Sequence, residues 1–262
     1  MELINIELNL LVFRGPTVLT EFRERISPRG DGMERRSRVD ETGAAFHGSQ
    51  QQIQRYLNKH AATLSQAIIA ATPSIPRNAQ IQWVSPLQKD KYREYWDGNF
   101  LDVLGLGAFR PQLADFWPKG GPHWDALAKV EQSGNPGVIL VEAKAHPTEI
   151  YNERGTGASP ESRKTIEASL QRTCEWLKVP YGPIWTGSLY QSANRLAHLF
   201  FLREVVKVDA WLVNIYFLDD RGYKPTSREE WTRALYEVKA EMRTASLSVP
   251  YLSEVFLPAL EA

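Results

Sequence analysis

Apolar and polar positions alternate at the start of the chain. Ile4, Ile6, Leu8, Leu10 and Val12 fall on one side of residues 3–12 and Asn5, Glu7 and Asn9 on the other, which predicts a half-buried strand. Residues 27–48 change to glycine, proline and charge, with Arg29, Arg35, Arg36 and Arg38 set among Asp31, Glu34, Asp40 and Glu41. So few apolar groups do not offset the entropy of ordering, and a solvated loop is expected. Ile53, Leu57, Leu64, Ile68 and Ile69 then recur at helical spacing, so one long helix is predicted over residues 49–72, closed by Thr72-Pro73 and Ile75-Pro76.

A short strand is expected at residues 81–84 and a helix at 89–104, stopped by Gly105 and Gly107. Two strands follow, 123–130 and 137–146, joined by the turn-rich stretch 131–136 into a hairpin. Ser159-Pro160 reads as an N-cap with proline at the first helical position and opens a helix to Leu177. Another helix is predicted over 189–205. The run Ala210-Trp-Leu-Val-Asn-Ile-Tyr-Phe-Leu218 is apolar on both faces, as a central strand requires, and Ser227-Arg-Glu-Glu230 is a capping box that starts a last helix through Met242. Strands interleaved with helices place the chain in the mixed α/β class around one sheet.

Composition narrows the chemistry. The chain has 262 residues, 31 Lys+Arg against 31 Asp+Glu, and one cysteine, Cys174. A disulfide within the chain, a Cys-rich zinc site and an iron–sulfur cluster are thereby excluded, as is a uniformly basic nucleic-acid coat. No apolar run approaches the ~20 residues of a membrane helix, and Met1-Glu-Leu-Ile lacks the basic start of a signal peptide, so a cytoplasmic protein without a membrane partner is expected.

One strand carries an anomaly. In residues 137–146, Val138, Leu140, Glu142, Lys144 and His146 share one face, and Ile139, Val141, Ala143 and Ala145 the other. Both faces begin apolar, so Glu142 and Lys144 end a strand that is buried on both sides, where an ion costs several kcal/mol unless compensated. With residues 131–136 as the loop, Val130 faces Gly137, and counting outward sets Asp125 opposite Glu142 and His123 opposite Lys144. A slip of one residue would send Asp125 to the other face. Two carboxylates so close raise one another's pKa unless a cation lies between them, and hard oxygen ligands of this kind suit Mg²⁺ or Mn²⁺.

Asp125 followed by Glu142-Ala143-Lys144 at the end of a hydrophobic strand, with a helix before and helices after, resembles the PD-(D/E)XK nuclease superfamily. The resemblance implies a restriction-endonuclease-like mixed central sheet flanked by helices. It further implies Asp125 and Glu142 as metal ligands, Lys144 as the group that orients the attacking water, and an acid on the preceding helix. Glu94 is the best match to that acid and Asp97 the alternative. The chain departs from the pattern in having Trp124, not proline, before Asp125. The resemblance covers residues 81–218, so residues 78–262 are read as the nuclease-like domain and residues 1–77 as an accessory strand, charged loop and helix. Mg²⁺-dependent cleavage of DNA or RNA is the implied activity, and a silent nuclease-fold interaction protein is the alternative.

Around this core, His123 is a candidate for phosphate contact, and Gln191, Arg195 and His198 share one face of the helix at 189–205, the first two as candidate substrate-binding residues. Trp117 and Trp124, beside the hairpin, are candidates for stacking on a base.

Overall fold

The computed structural model describes residues 38–132, 136–152 and 154–261. The strand expected at 3–12 and the larger part of the loop expected at 27–48 lie outside the described residues.

Residues 38–47 make a small turn in which Val39 pairs with Ala45, and it is tied to the following helix because the Ala45 amide donates to Gln54 Oε1 over 2.8 Å. The single helix expected at 49–72 is two, α1 (Gly48–Lys59) and α2 (Ala61–Ala71), since His60 leaves helical geometry at φ −135. The break turns the second helix so that Leu64 and Ile68 bury on the same sheet face as Ile53, Tyr56 and Leu57 of the first. Fully burying such an aliphatic side chain contributes about 1.5–3 kcal/mol, so together these positions hold the helical layer against the sheet.

Strand β1 (Gln80–Ser85) is followed by a correction to the expected helix at 89–104. The chain makes one 3₁₀ turn at Gln88–Asp90, Lys91 and Tyr92 then take φ values of 54, and only α3 (Gly98–Leu104) is helical. Between them Tyr95 pairs antiparallel with Trp124, and this long-range pairing overrides local helix propensity. Helix α4 (Arg110–Phe116), with Pro111 in its first turn, completes the segment.

Strands β2 (Ala126–Glu131) and β3 (Gly137–Lys144) form the hairpin in the counted register, with Val130 against Gly137 and Ala126 against Val141. Helix α5 (Pro160–Leu177) starts at Ser159, whose Oγ accepts from the Ser162 amide. Helix α6 (Tyr190–Phe200) runs into a π-helical turn, Phe201–Val205, where one helix was expected throughout. Strand β4 (Asp209–Leu218) leads to α7 (Arg228–Glu241), whose N-terminus carries the Ser227/Glu230 capping box. The last strand, β5 (Leu252–Pro258), was not expected, because its inward positions begin with a polar residue, Ser253, which accepts a 2.7 Å hydrogen bond from Thr72 Oγ1.

Among the described residues the strands form one sheet in the order β1-β2-β3-β4-β5. The first three are antiparallel and the last two join in parallel, the β3-to-β4 connection carrying α5 and α6 and the β4-to-β5 connection carrying α7. Helices α1 and α2 cover the face bearing Ile139, Val141 and Ala143. The remaining α-helices cover the face bearing Val138 and Leu140. The molecule is thus an α/β fold with a mixed sheet between helical layers, and β3 is buried on both sides.

Candidate functional site

The site is built where β3 ends. Val138 and Leu140 anchor one face of the strand in the core, and continuing that face places Glu142 and Lys144 at its margin. The parallel neighbour β4 sets Asn214 beside Glu142 and Tyr216 beside Lys144. On the other side, Asp125 directly precedes β2. Its amide donates to the Val141 carbonyl at 3.2 Å, and its Oδ2 accepts from the Ala143 amide at 2.7 Å.

Glu142 is only 7% exposed and is held by two cations. Lys144 Nζ lies 2.6 Å from Oε1 and Arg195 Nε lies 2.6 Å from Oε2. Burial works against its charge, but Arg195 and then Lys144 outweigh burial and hold its pKa below the ordinary carboxylate value. Burial likewise opposes the Lys144 ammonium, and Glu142 together with Asp125 reverses the effect and raises its pKa. Asp125 has no such pair of cations. Burial, and then the Glu142 carboxylate, push its pKa from 3.8 up to about 8.

Glu94 reaches the same place by a route different from the expected one. It belongs to no helix and sits in the extended stretch whose Tyr95 pairs with Trp124, which sets Glu94 alongside Asp125. Gln50 Nε2 donates to its Oε1 at 3.0 Å, yet burial, aided by Glu142, raises its pKa. The alternative acid, Asp97, instead caps a turn: it takes φ 47 and ψ −145, and its Oδ1 accepts from the amides of Gly120 and Gly121 at 2.8 Å each. Side-chain-bearing residues in such backbone regions cost about 1–3 kcal/mol each, and strain of that kind collects where a loop must hold a fixed shape.

A cleft of about 590 Å³ opens beside these groups, lined by Glu94, Asp125, Lys144 and Glu149 and by Arg38, His47, Gln50, Gln191 and Tyr223. Gln191 thus lies in the cleft with Asp125 and Lys144. Arg195 does not line it: its guanidinium is spent on Glu142, on Asn194 Oδ1 at 2.7 Å and on the His123 carbonyl at 2.9 Å, with Trp124 stacked 5.2 Å away. The His123 ring lies against Trp96, with centroids 4.5 Å apart. Trp117 and Trp124, candidates for stacking on a base, are both buried in the core, and His198 is buried beside them.

Sequence reasoning missed several participants, His47 and Tyr223 of the cleft wall among them. Ser49, whose Oγ donates to Glu149 Oε2 at 2.9 Å, and Gln50 occupy the first turn of α1 and look like ordinary helix surface residues. Glu149 lies just past the end of β3, as the last residue of the 3₁₀ turn at Pro147–Glu149, within reach of a count along the chain. Trp96 gave no periodic signal because its segment is irregular.

Among the described residues no three His, Cys, Asp or Glu side chains converge as a metal cage. Magnesium, however, is commonly held by one or two carboxylates with waters and substrate phosphates completing the shell. The donors suit such an ion: Asp125 and Glu94 offer hard oxygens whose charged forms are disfavoured by burial and by the Glu142 carboxylate, a penalty that a divalent cation relieves. No protein-family model matches the chain, and neither curated proteins nor solved structures give a significant match.

Proposed function

We propose that this protein is a metal-dependent phosphodiesterase that cleaves nucleic acid through a PD-(D/E)XK-like site, with a restriction-endonuclease-like arrangement of its sheet. The reading rests on one juxtaposition: Asp125, placed by the hairpin beside the Glu142-x-Lys144 end of a buried strand, shares an open cleft with Lys144 and Glu94. Asp125 and Glu94, with Glu142 behind them, would hold Mg²⁺ or Mn²⁺. Such an ion supplies charge neutralisation at the phosphate and a bound water of lowered pKa.

The protein's own groups divide the remaining work. Lys144, fixed by Glu142, presents a charged ammonium to the cleft for the attacking water or the phosphate oxygens. Arg195 acts through Glu142, holding its carboxylate ionised and in place. Gln191 adds a neutral hydrogen-bonding group at the cleft wall. In this reading residues 78–262 carry the chemistry and residues 1–77 are accessory to it, although α1 contributes Gln50 to the cleft.

The second reading, a silent scaffold of the same shape, draws on the two cations that already balance Glu142 without a metal. Cleavage of labelled single- and double-stranded DNA and RNA decides between them. The wild type is expected to cut at least one substrate only with Mg²⁺ or Mn²⁺. Lys144→Ala is expected to lose about a hundredfold or more, as for removal of a preorganised charge worth ~3 kcal/mol, without rescue by Lys144→Arg. Absence of cleavage on every substrate, or equal cleavage by Asp125→Asn, overturns the proposal.

A further inference from the structure

The stretches 94–96 and 123–125 run antiparallel about the Tyr95–Trp124 pair. Side chains alternate along extended chains, so Glu94 with Asp125 and Trp96 with His123 share the side opposite Tyr95 and Trp124. Trp124 goes into the core, fully buried. On the outward side, the Trp96 and His123 rings stack at 4.5 Å with 14° between their planes. The stack therefore stands two residue pairs, roughly 7 Å, along from the two carboxylates.

Trp96 is 36% exposed, one of the large apolar side chains that the fold leaves in solvent. It is also held firmly. The next residue, Asp97, is locked at positive φ by two amide hydrogen bonds, and His123 on the facing stretch has its carbonyl bound by Arg195. A second stack, His47 on Tyr223 at 5.1 Å and 5°, lines the cleft itself, with Arg38 lining it too and Lys224 Nζ 5.5 Å from the Tyr223 ring. Flat aromatic faces next to cations and phosphate-handling groups are what an unpaired strand requires, since stacking tolerates any base and the cations follow the backbone. A duplex offers the backbone but not the base faces, which are already covered by their neighbours.

Resting on the phosphodiesterase reading, we infer that the substrate is single-stranded nucleic acid, with one base stacked on the outer face of Trp96 and another against the His47–Tyr223 pair, so that the intervening phosphate meets Asp125 and Lys144. The test is binding of labelled single-stranded DNA, single-stranded RNA and duplex DNA to the full chain in EDTA, where no cleavage intervenes. Trp96→Ala is expected to weaken single-strand binding roughly 5- to 150-fold, the range that loss of one base stack carries, and to leave weak duplex binding unchanged. Trp96→Phe is expected to stay within a few-fold of wild type, and a thermal midpoint equal to wild type shows that the alanine variant is folded. The DNA and RNA arms identify which sugar the cleft prefers.

Unchanged single-strand binding by Trp96→Ala, or an equal loss on duplex, overturns this inference, while metal-dependent cleavage that fails in Asp125→Asn would still support the phosphodiesterase. No binding and no cleavage of any strand overturns both.

Discussion

Nε of Arg195, on helix α6, lies 2.6 Å from Oε2 of Glu142, on strand β3, and both side chains are buried. Removing one partner of such a pair strands the other charge away from water. Arg195→Ala is therefore expected to cost about 3–5 kcal/mol of stability, and Arg195→Lys to recover only part of it, because lysine cannot also serve Asn194 and the His123 carbonyl in a planar fork. The exposed Lys207–Glu204 pair is the control, where Lys207→Ala is expected to change stability by about 1 kcal/mol or less. Urea denaturation of the three variants measures the contrast. A cost for Arg195→Ala as small as the control would mean that Glu142 is not confined as described.

Asp125 imposes a pH dependence of unusual sign for a carboxylate. Its pKa is raised to about 8 in the folded chain from 3.8, so between those values the folded protein keeps a proton that the unfolded chain has released. The unfolded state then binds fewer protons, and stability falls as pH rises through that window, levelling above it. Asp125→Asn removes this contribution while preserving an acceptor for the Ala143 amide. The stability difference, variant minus wild type, is expected to grow from about pH 5 to about pH 8.5 in metal-free buffer. A difference that is flat across that range would contradict the raised pKa.

A divalent cation is expected to reverse that penalty. Mg²⁺ or Mn²⁺ should raise the thermal midpoint of the wild type, approaching about 2.7 kcal/mol at a hundred times Kd, and leave the Asp125→Asn, Glu94→Gln double variant unmoved. The shift should be larger near pH 8 than near pH 6, since below Asp125's pKa the ion competes with its proton. Equal shifts in both proteins would place the ion elsewhere.

Gly137 opens β3 where no side chain fits. A Cβ there would lie 2.4 Å from the Trp211 ring and 2.9 Å from the Asp209 carbonyl, a backbone atom that cannot swing aside. Gly137→Ala is expected to destabilise by about 1–3 kcal/mol through overpacking at the β3–β4 junction. Thermal denaturation reads the effect, and a neutral result would show that the two strands separate there more easily than their pairing indicates.

The hairpin register was legible from the sequence over Ala126–Val130 against Gly137–Val141, because the turn residues and both strand patterns fix the same count. Beyond it the Asp125 amide donates to the Val141 carbonyl, one residue off that count, its carboxylate accepts from the Ala143 amide, and His123 stacks on Trp96 instead of standing opposite Lys144. The capped starts of α5 and α7 were legible for the same local reason: Ser159 and Ser227 signal their helices within a few residues. Glu94 was found as a residue but misplaced as an element, since apolar spacing over 89–104 mimics a helix while the Tyr95–Trp124 pairing that decides the matter is non-local. Arg195 read as substrate-facing because helical periodicity shows which residues share a face and not what the face meets; only the fold brings it to Glu142. Strand β5 escaped because Ser253, buried against Thr72, breaks the apolar alternation that marks a strand.

The 53-residue separation between Glu142 and Arg195 bears on how the molecule comes into being. The β2–β3 hairpin closes over a short loop, so Asp125, Glu142 and Lys144 can meet while the chain is still being synthesised. Arg195 joins them only after α5 and much of α6 have left the ribosome and docked, a longer loop whose closure comes later. Of the two cations that hold Glu142 in the finished fold, Lys144 is thus the one that chain order supplies first. The growing chain therefore carries the outline of its site well before it carries the counter-charge that lets the site be buried.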